Sequence, residues 1–423
     1  MSFPRYPKYK DSGVEWLGEV PEHWAVTRLK YNLRLLTEKT DRRDNPVALE
    51  NIEGWTGRFI TTETKFQGEG IAFDAGDILF GKLRPYLAKA YRAESSGEAV
   101  GDFHVMRPVT GIDSRFAQYQ MLNREFIAIV DGSTFGSKMP RASWEFVGGM
   151  KVPTPPIDEQ SRIADFLDQE AAKIDELVGE QRRLIELLKE KRQAVISHAV
   201  TKGLNPCAPM KPSGIEWLGD VPEHWNMTRL RFLFRQEKRQ DQVEKPVLSV
   251  YRDYGVILKD SRDDNMNKTP EDLSAYQLVN RSDLVVNKMK AWQGSLGISD
   301  LEGITSPDYV VFSPRHRECS AFLHLLLRSQ RMVTVYRSIS NGIRPAQWRL
   351  EPDLFLGLPV FLPPEQEQRD LASFITDQTS RFDTLTAEAQ RAIDLLQERR
   401  TSLISAAVTG QIDVRPRNGK KSA

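Results

Sequence analysis

The chain has little cysteine: Cys207 and Cys319 are its only two in 423 residues, and they lie in separate segments. No disulfide framework and no metal-ligand spacing can be built from such a pair. Long apolar runs are also missing, since none approaches the ~20 residues of a membrane span. The first residues, MSFPRYPKYKDSGVEW, lack the apolar core of a signal peptide. A cytoplasmic protein without a membrane partner is the expectation. Neither charge sign dominates, because 59 Lys+Arg meet 58 Asp+Glu for a net +1. There is no Gly-x-Gly-x-x-Gly and no Walker loop, so neither a dinucleotide nor an ATP cradle shows. The six histidines hold no His-x-x-x-His pair, so no metal site is expected.

What is present is repetition. Residues 12–24 read SGVEWLGEVPEHW and residues 213–225 read SGIEWLGDVPEHW, identical at eleven of thirteen positions. An internal repeat governs the reading of everything else. The match extends beyond this linker. Asp77-Ile-Leu-Phe-Gly-Lys82-Leu-Arg84-Pro-Tyr86 aligns with Asp283-Leu-Val-Val-Asn-Lys288-Met-Lys290-Ala-Trp292 at an offset of 206. Gly101-Asp-Phe-His-Val-Met-Arg-Pro108 aligns with Pro307-Asp-Tyr-Val-Val-Phe-Ser-Pro314 at the same offset, and Ala142-Ser-Trp144 with Ala346-Gln-Trp348 at 204. The globular parts have diverged most. Seven segments follow: a linker segment at 1–24, a mixed α/β domain at 25–156, a helical spacer at 157–206, the linker repeat at 207–225, a second α/β domain at 226–363, a second helical spacer at 364–412, and a basic flexible tail at 413–423. The globular segments are mildly basic and the spacers acidic. A basic face suits a polyanion and an acidic arm suits a protein partner, although ordinary solvated surface gives the same pattern.

Within the first domain, Asp77–Phe80 and Phe103–Met106 read as strands, and Phe116 to Ile129 carries apolar residues at helical spacing. Pro155-Pro156 breaks the chain before a helix over 158–200, whose acidic first turn suits the helix dipole. An apolar seam is expected along Ile174, Leu177, Gln181, Leu184, Leu188, Lys191, Val195 and His198. Its copy at an offset of 208 is Phe382, Leu385, Ala389, Ala392, Leu396, Arg399, Leu403 and Ala406. Rods of this length need a partner. The expected fold is therefore two α/β domains joined by two long antiparallel helices, pseudo-two-fold by duplication, with the heads at opposite ends.

On these residues the chain resembles the specificity subunit of type I restriction–modification enzymes. The doubled GDILFGKLRPYL and SDLVVNKMKAWQGSLG segments carry the resemblance. So do GITSPDYVVFSP and the Pro-Pro-x-x-Glu-Gln start of a long helix (Pro155-Pro156-Ile-Asp-Glu159-Gln160, more loosely Pro364-Glu-Gln-Glu367-Gln368). The resemblance spans essentially the whole chain. It implies two target-recognition domains, each reading half of a bipartite, asymmetric double-stranded DNA site. It also implies helices that dock two methylation subunits, with restriction subunits joining for cleavage. S-adenosylmethionine, ATP and Mg would belong to those partners and none to this chain. Asn205-Pro206-Cys207-Ala208 only imitates the Asn-Pro-Pro-aromatic motif of adenine methylation, so the chain reads as non-catalytic by itself.

Lys82, Arg84, Lys288 and Lys290 alternate after strand-like runs, as phosphate-holding residues would; a fold-defining role is the competing reading. Base readers belong where the copies differ, and Arg, Lys, Asn and Gln have the forks to read base edges. The candidates are Arg58, Lys65, Lys138 and Arg141 in the first domain, and Arg252, Gln293, Asn341 and Arg344 in the second. Glu159, Gln160, Phe166, Asp175 and Leu188 recur as Glu367, Gln368, Phe374, Asp383 and Leu396, which suits two copies of one partner; arms holding each other is the alternative. A two-headed protein scaffold and a stand-alone methyltransferase remain the rival functions. Failure to shift any duplex would favour the former, and methyl transfer by the lone chain the latter.

Overall fold

A computed structural model of the chain describes residues 3–40, 45–62, 69–136, 138–262, 269–342 and 348–415. Lys65 and Arg344 lie outside the described residues. Two compact units emerge, Met1–Arg182 with Gln390–Ala423, and Arg183–Ala389. Each therefore holds one linker copy, one head and half of each long helix.

In the first unit the central sheet is antiparallel, in the order Leu33–Leu36, Phe103–Pro108, Ile78–Gly81, Ala90–Arg92. The strand Ile78–Gly81 is apolar on both faces because both are covered. The helices Ser114–Met121 and Arg124–Gly132 pack with Ile78 and Phe80 in one core, while Leu79 and Val105 face a second core with Val47, Phe73 and Ala99. The helical stretch expected from Phe116 to Ile129 is thus two helices. Asn123 breaks it, its side chain accepting the Phe126 amide as an N-cap. The strand Lys151–Thr154 pairs with Ala25–Arg28 and leads through Pro155-Pro156 into the helix Ile157–Lys202.

The second unit repeats this sheet as Phe234–Gln236, Tyr309–Pro314, Leu284–Asn287, Leu296–Ile298. Its register is the same, Leu284 facing Phe312 as Ile78 faces Met106. The strand Pro359–Leu362 pairs with Asn226–Arg229 and precedes the helix Glu365–Val408. The offset of 204 at Trp144 is corrected here. The Ala142 amide donates to the Lys82 carbonyl at 3.0 Å, and the residue that repeats this bond onto Lys288 is Leu350, also at 3.0 Å. Arg141 therefore corresponds to Arg349. The helix Trp144–Gly149 and strand Lys151–Thr154 likewise correspond to Pro352–Leu356 and Pro359–Leu362 at an offset of 208. The offset rises from 201 to 206 to 208 without a reversal.

Both units pair the early half of one long helix with the late half of the other, so the pairing is antiparallel in each. Ile163 and Leu167 share a core with Ile404 and Val408, and Ala199 and Val200 share one with Leu371 and Ile375. The seam is shifted from the expected one. Ile174 and Leu188 are buried as expected, but Leu177 and Leu184 are exposed and Val178 and Ile185 are buried instead. On the second helix Leu385 is likewise exposed while Ile393 and Ala407 are buried. A stripe of period 3.5 is satisfied by steps of 3,4 or 4,3 from the same first residue. Adjacent apolar pairs such as Leu177-Val178 and Leu184-Ile185 leave the choice open in sequence. The 4,3 phase places Arg192 and Arg400 at the seam, where each finds a carboxylate.

Candidate nucleic-acid interface

Each head meets its helix through residues that the repeat preserves. His23 Nε2 lies 2.8 Å from Glu159 Oε2 in the first unit, and His224 Nε2 lies 2.7 Å from Glu367 Oε2 in the second. Trp24 and Trp225 are fully buried beside them. Gly18 and Gly219, at φ +59° and +68°, turn the linker back on itself where a Cβ would be strained. Gln160 is 1% exposed and Gln368 0%. Gln160 accepts the Asp113 amide at 2.9 Å and donates to the Gly111 and Pro155 carbonyls. Gln368 accepts the Cys319 amide at 3.0 Å and donates to Pro363 and Glu318.

These contacts move Gln160 and Gln368 from an expected partner surface into the joints, since their amides are buried and bonded within the unit. Glu159 is also buried, and Glu367 is half-buried against His224 and Trp225. Phe166 packs edge-on against Phe3, and Phe374 lies against the second core. Asp175 and Asp383 bind Arg400 at 2.5 Å and Arg192 at 2.9 Å across the helix pair. Leu188 is buried in the seam and Leu396 half-buried. Among the apolar side chains of the arms, Leu177, Leu184 and Leu187 on one helix and Leu385 and Leu395 on the other are exposed.

On the first head, Lys82, Arg84 and Arg141 converge. The Arg84 amide donates to the Pro140 carbonyl at 2.9 Å, which lays the turn after Gly81 beside the Phe135–Arg141 loop. Arg141 forks onto both Asp102 oxygens at 2.9 Å, with Lys82 3.9 Å from the same carboxylate. This bidentate bond raises the guanidinium pKa above its ordinary value. Arg84 is exposed and sits in the left-handed region at φ +51°, a strained setting for a side-chain-bearing residue. Lys138 is exposed on the same loop. Behind it, His104 Nε2 is 3.0 Å from the Ala142 carbonyl, and burial pushes its pKa down. Arg58 stands apart, paired with Glu53 at 3.1 Å and with Asp175 of the long helix at 3.6 Å. Burial would raise the Glu53 carboxyl, but Thr56 and Arg58 hold it below its usual value.

The second head gathers Arg252, Lys290 and Gln293 on one groove of about 880 Å³, together with Lys259, Tyr251, Tyr276, Asp308 and Tyr309. Its floor is the turn Asn287–Lys290, where Asn287 Oδ1 accepts the Met289 and Lys290 amides. Lys288 is half-buried and does not line this groove, and Asn341 is exposed on the strand pair Ser340–Asn341 with Arg349–Leu350. Charge-based reading of the sequence passed over the apolar tip of the first head, Phe135 and Met139, both well exposed. It also passed over the tyrosines of the groove, Tyr251 and Tyr309 on strands and Tyr276 just before one.

Among the described residues no cluster of three metal-ligating side chains occurs, and no described helix is long and apolar enough to cross a membrane. The fold and its surfaces define a duplicated, two-headed protein with like frames and unlike loops. No model of a known protein family matches the chain. Individual relatives do. The EcoDI specificity subunit of a type I restriction enzyme from Escherichia coli is 25% identical over 193 residues, 43% of this chain and 43% of that subunit. The MjaVIII specificity subunit from Methanocaldococcus jannaschii is 21% identical over 446 residues, 94% of this chain and 95% of that one. A solved chain described under complex assembly and conformational transition of the type I R-M system superposes with a TM-score of 0.67 at 15% identity, covering 92% of this chain and 98% of its own. By these comparisons the chain is similar, over nearly its whole length, to specificity subunits of type I restriction enzymes.

Proposed function

We propose that the chain confers sequence specificity on a type I restriction–modification complex, each head reading one half of a bipartite, asymmetric double-stranded DNA site. It is a non-catalytic subunit. One observation carries the reading. The two heads share a sheet, a register and a helix joint, yet differ in sequence between the paired residues Phe135 and Arg141 in one and Asn341 and Arg349 in the other. Equal frames with unlike loops are what two half-sites of different sequence require. In this assignment Lys82, Arg84, Lys138, Lys288 and Lys290 hold phosphates. Arg252, Gln293 and Asn341 meet base edges, and Lys65 and Arg344 are assigned to the same task from sequence alone. The exposed leucines of the helical arms receive two methylation subunits, and restriction subunits join that complex. S-adenosylmethionine, ATP and Mg are bound by those partners.

Base-resolution mapping of adenine methylation in cells, with and without this gene, tests the reading. Replacing residues 25–156 by the corresponding domain of another family member should change one half of the methylated motif only. A change in both halves, or no duplex shifted with methylation subunits present, contradicts it.

A further inference from the structure

The tip of the first head combines features that charge alone does not account for. Phe135 is 66% exposed, Met139 50% and Tyr86 48%. Single exposed apolar residues are ordinary. These three belong to segments that the backbone binds together. Phe135 and Arg141 exchange both main-chain hydrogen bonds, at 3.2 and 3.4 Å, and Leu83 forms a bridge with Arg141. Lys82, Arg84, Lys138 and Arg141 lie on the same two segments. Arg141, the obvious base reader, is engaged: its guanidinium grips both Asp102 oxygens. It serves as a clasp that sets the loop, leaving the apolar tip among cations suited to phosphates.

The second head places Asn341 where the first has Phe135, for Asn341 pairs with Arg349 as Phe135 pairs with Arg141. One position of a shared ladder thus carries an aromatic ring in one head and an amide in the other. An amide suits the N6/N7 edge of adenine. The only apolar group that a base offers in the major groove is the thymine methyl.

We propose that Phe135 is a specificity-determining residue of the first head, reading the 5-methyl group of a thymine in the major groove of its half-site, with Arg141 and Asp102 positioning its loop. The inference rests on the DNA-reading function above.

The test uses the chain assembled with its methylation subunits, as wild type and as Phe135→Ala. Duplexes carry uracil in place of each thymine of the mapped half-site in turn, which removes one methyl and keeps base pairing. For the wild type, one replacement should weaken binding about fourfold, the worth of one buried methyl-sized group. With Phe135→Ala that difference should vanish, while base changes in the other half-site keep their wild-type effect and so report an intact fold. The proposal is overturned if both proteins respond alike to every uracil. It is equally overturned if Phe135→Ala weakens thymine and uracil duplexes equally, or if the half-site holds no A·T pair. In those three cases the wild type still discriminates its site and the broader function stands. If the wild type binds no duplex selectively, both readings fall.

Discussion

At the residue scale, the largely enclosed ring of His324 is expected to make one head sensitive to acid. Its ring lies against Gly255 and Gly297, where an added Cβ would come within 2.9 and 3.2 Å of it, and Nδ1 is 3.2 Å from the Ile298 backbone. Burial, helped by the Arg328 charge, lowers its pKa to about 4. The folded value is below the unfolded one of about 6.5. The resulting stability is complete above pH 6.5 and is lost as pH falls toward 4, by about 3 kcal/mol in order of magnitude. Chemical denaturation from pH 7 to 4 should show that decline, and His324→Gln should flatten it; His316, whose pKa burial also lowers, adds a smaller slope of the same sign. An unchanged slope in His324→Gln would assign the effect elsewhere. At this scale the sequence was legible wherever a residue's chemistry names its neighbour. His23 and His224 hold the same place in the two linker copies, and each binds the first turn of its helix. Gln160 and Gln368 were misplaced for the same reason: repetition marks equivalence and does not distinguish a joint from a docking face.

The long helices were legible in length and poorly legible in phase. Their seam depends on one-residue steps between adjacent apolar side chains, and tertiary packing decided for Val178 and Ile185. The chosen phase creates two equivalent ion pairs of unequal setting. Arg400 is buried and Asp175 largely so, while Arg192 and Asp383 are much more exposed. Arg400→Ala leaves the partly buried Asp175 carboxylate with the longer Arg58 pair at 3.6 Å and should cost about 2 kcal/mol. Arg192→Ala should cost less than about 1 kcal/mol. Thermal unfolding of the two variants measures the difference, and equal losses would refute the burial argument. In each pair a residue of one repeat meets the counterpart of its own partner, the pattern of a self-complementary interface.

For the whole molecule, duplication was the most legible property, since thirteen residues of near identity and a collinear series of matches need no structure to be seen. The course of the offset through the last third of each head was not legible. There Trp144 and Trp348 offered a match by residue type that the backbone hydrogen bonds of Ala142 and Leu350 overrule. The loops that differ between the heads carried least signal, because no periodicity constrains them and the relevant side chain, Phe135, is apolar.

In the second unit, peptide bonds lead from Gly203 at the end of one long helix to the linker strand Met210–Pro212. In the first unit the other helix end meets its linker without any. Tyr9 Oη donates to the Gly410 carbonyl at 3.0 Å, the Asp413 amide to Pro4 at 2.8 Å, and the Arg415 guanidinium lies 4.7 Å from the Tyr6 ring. Surface contacts there do the work that covalent continuity does at the other joint. Cleavage in the exposed stretch from Leu204 to Cys207 should therefore leave both fragments associated on gel filtration, each contributing to both units. Separation without denaturant would count against this. The two repeats then have a cyclic order, and a gene that encoded the second before the first would specify the same contacts within each.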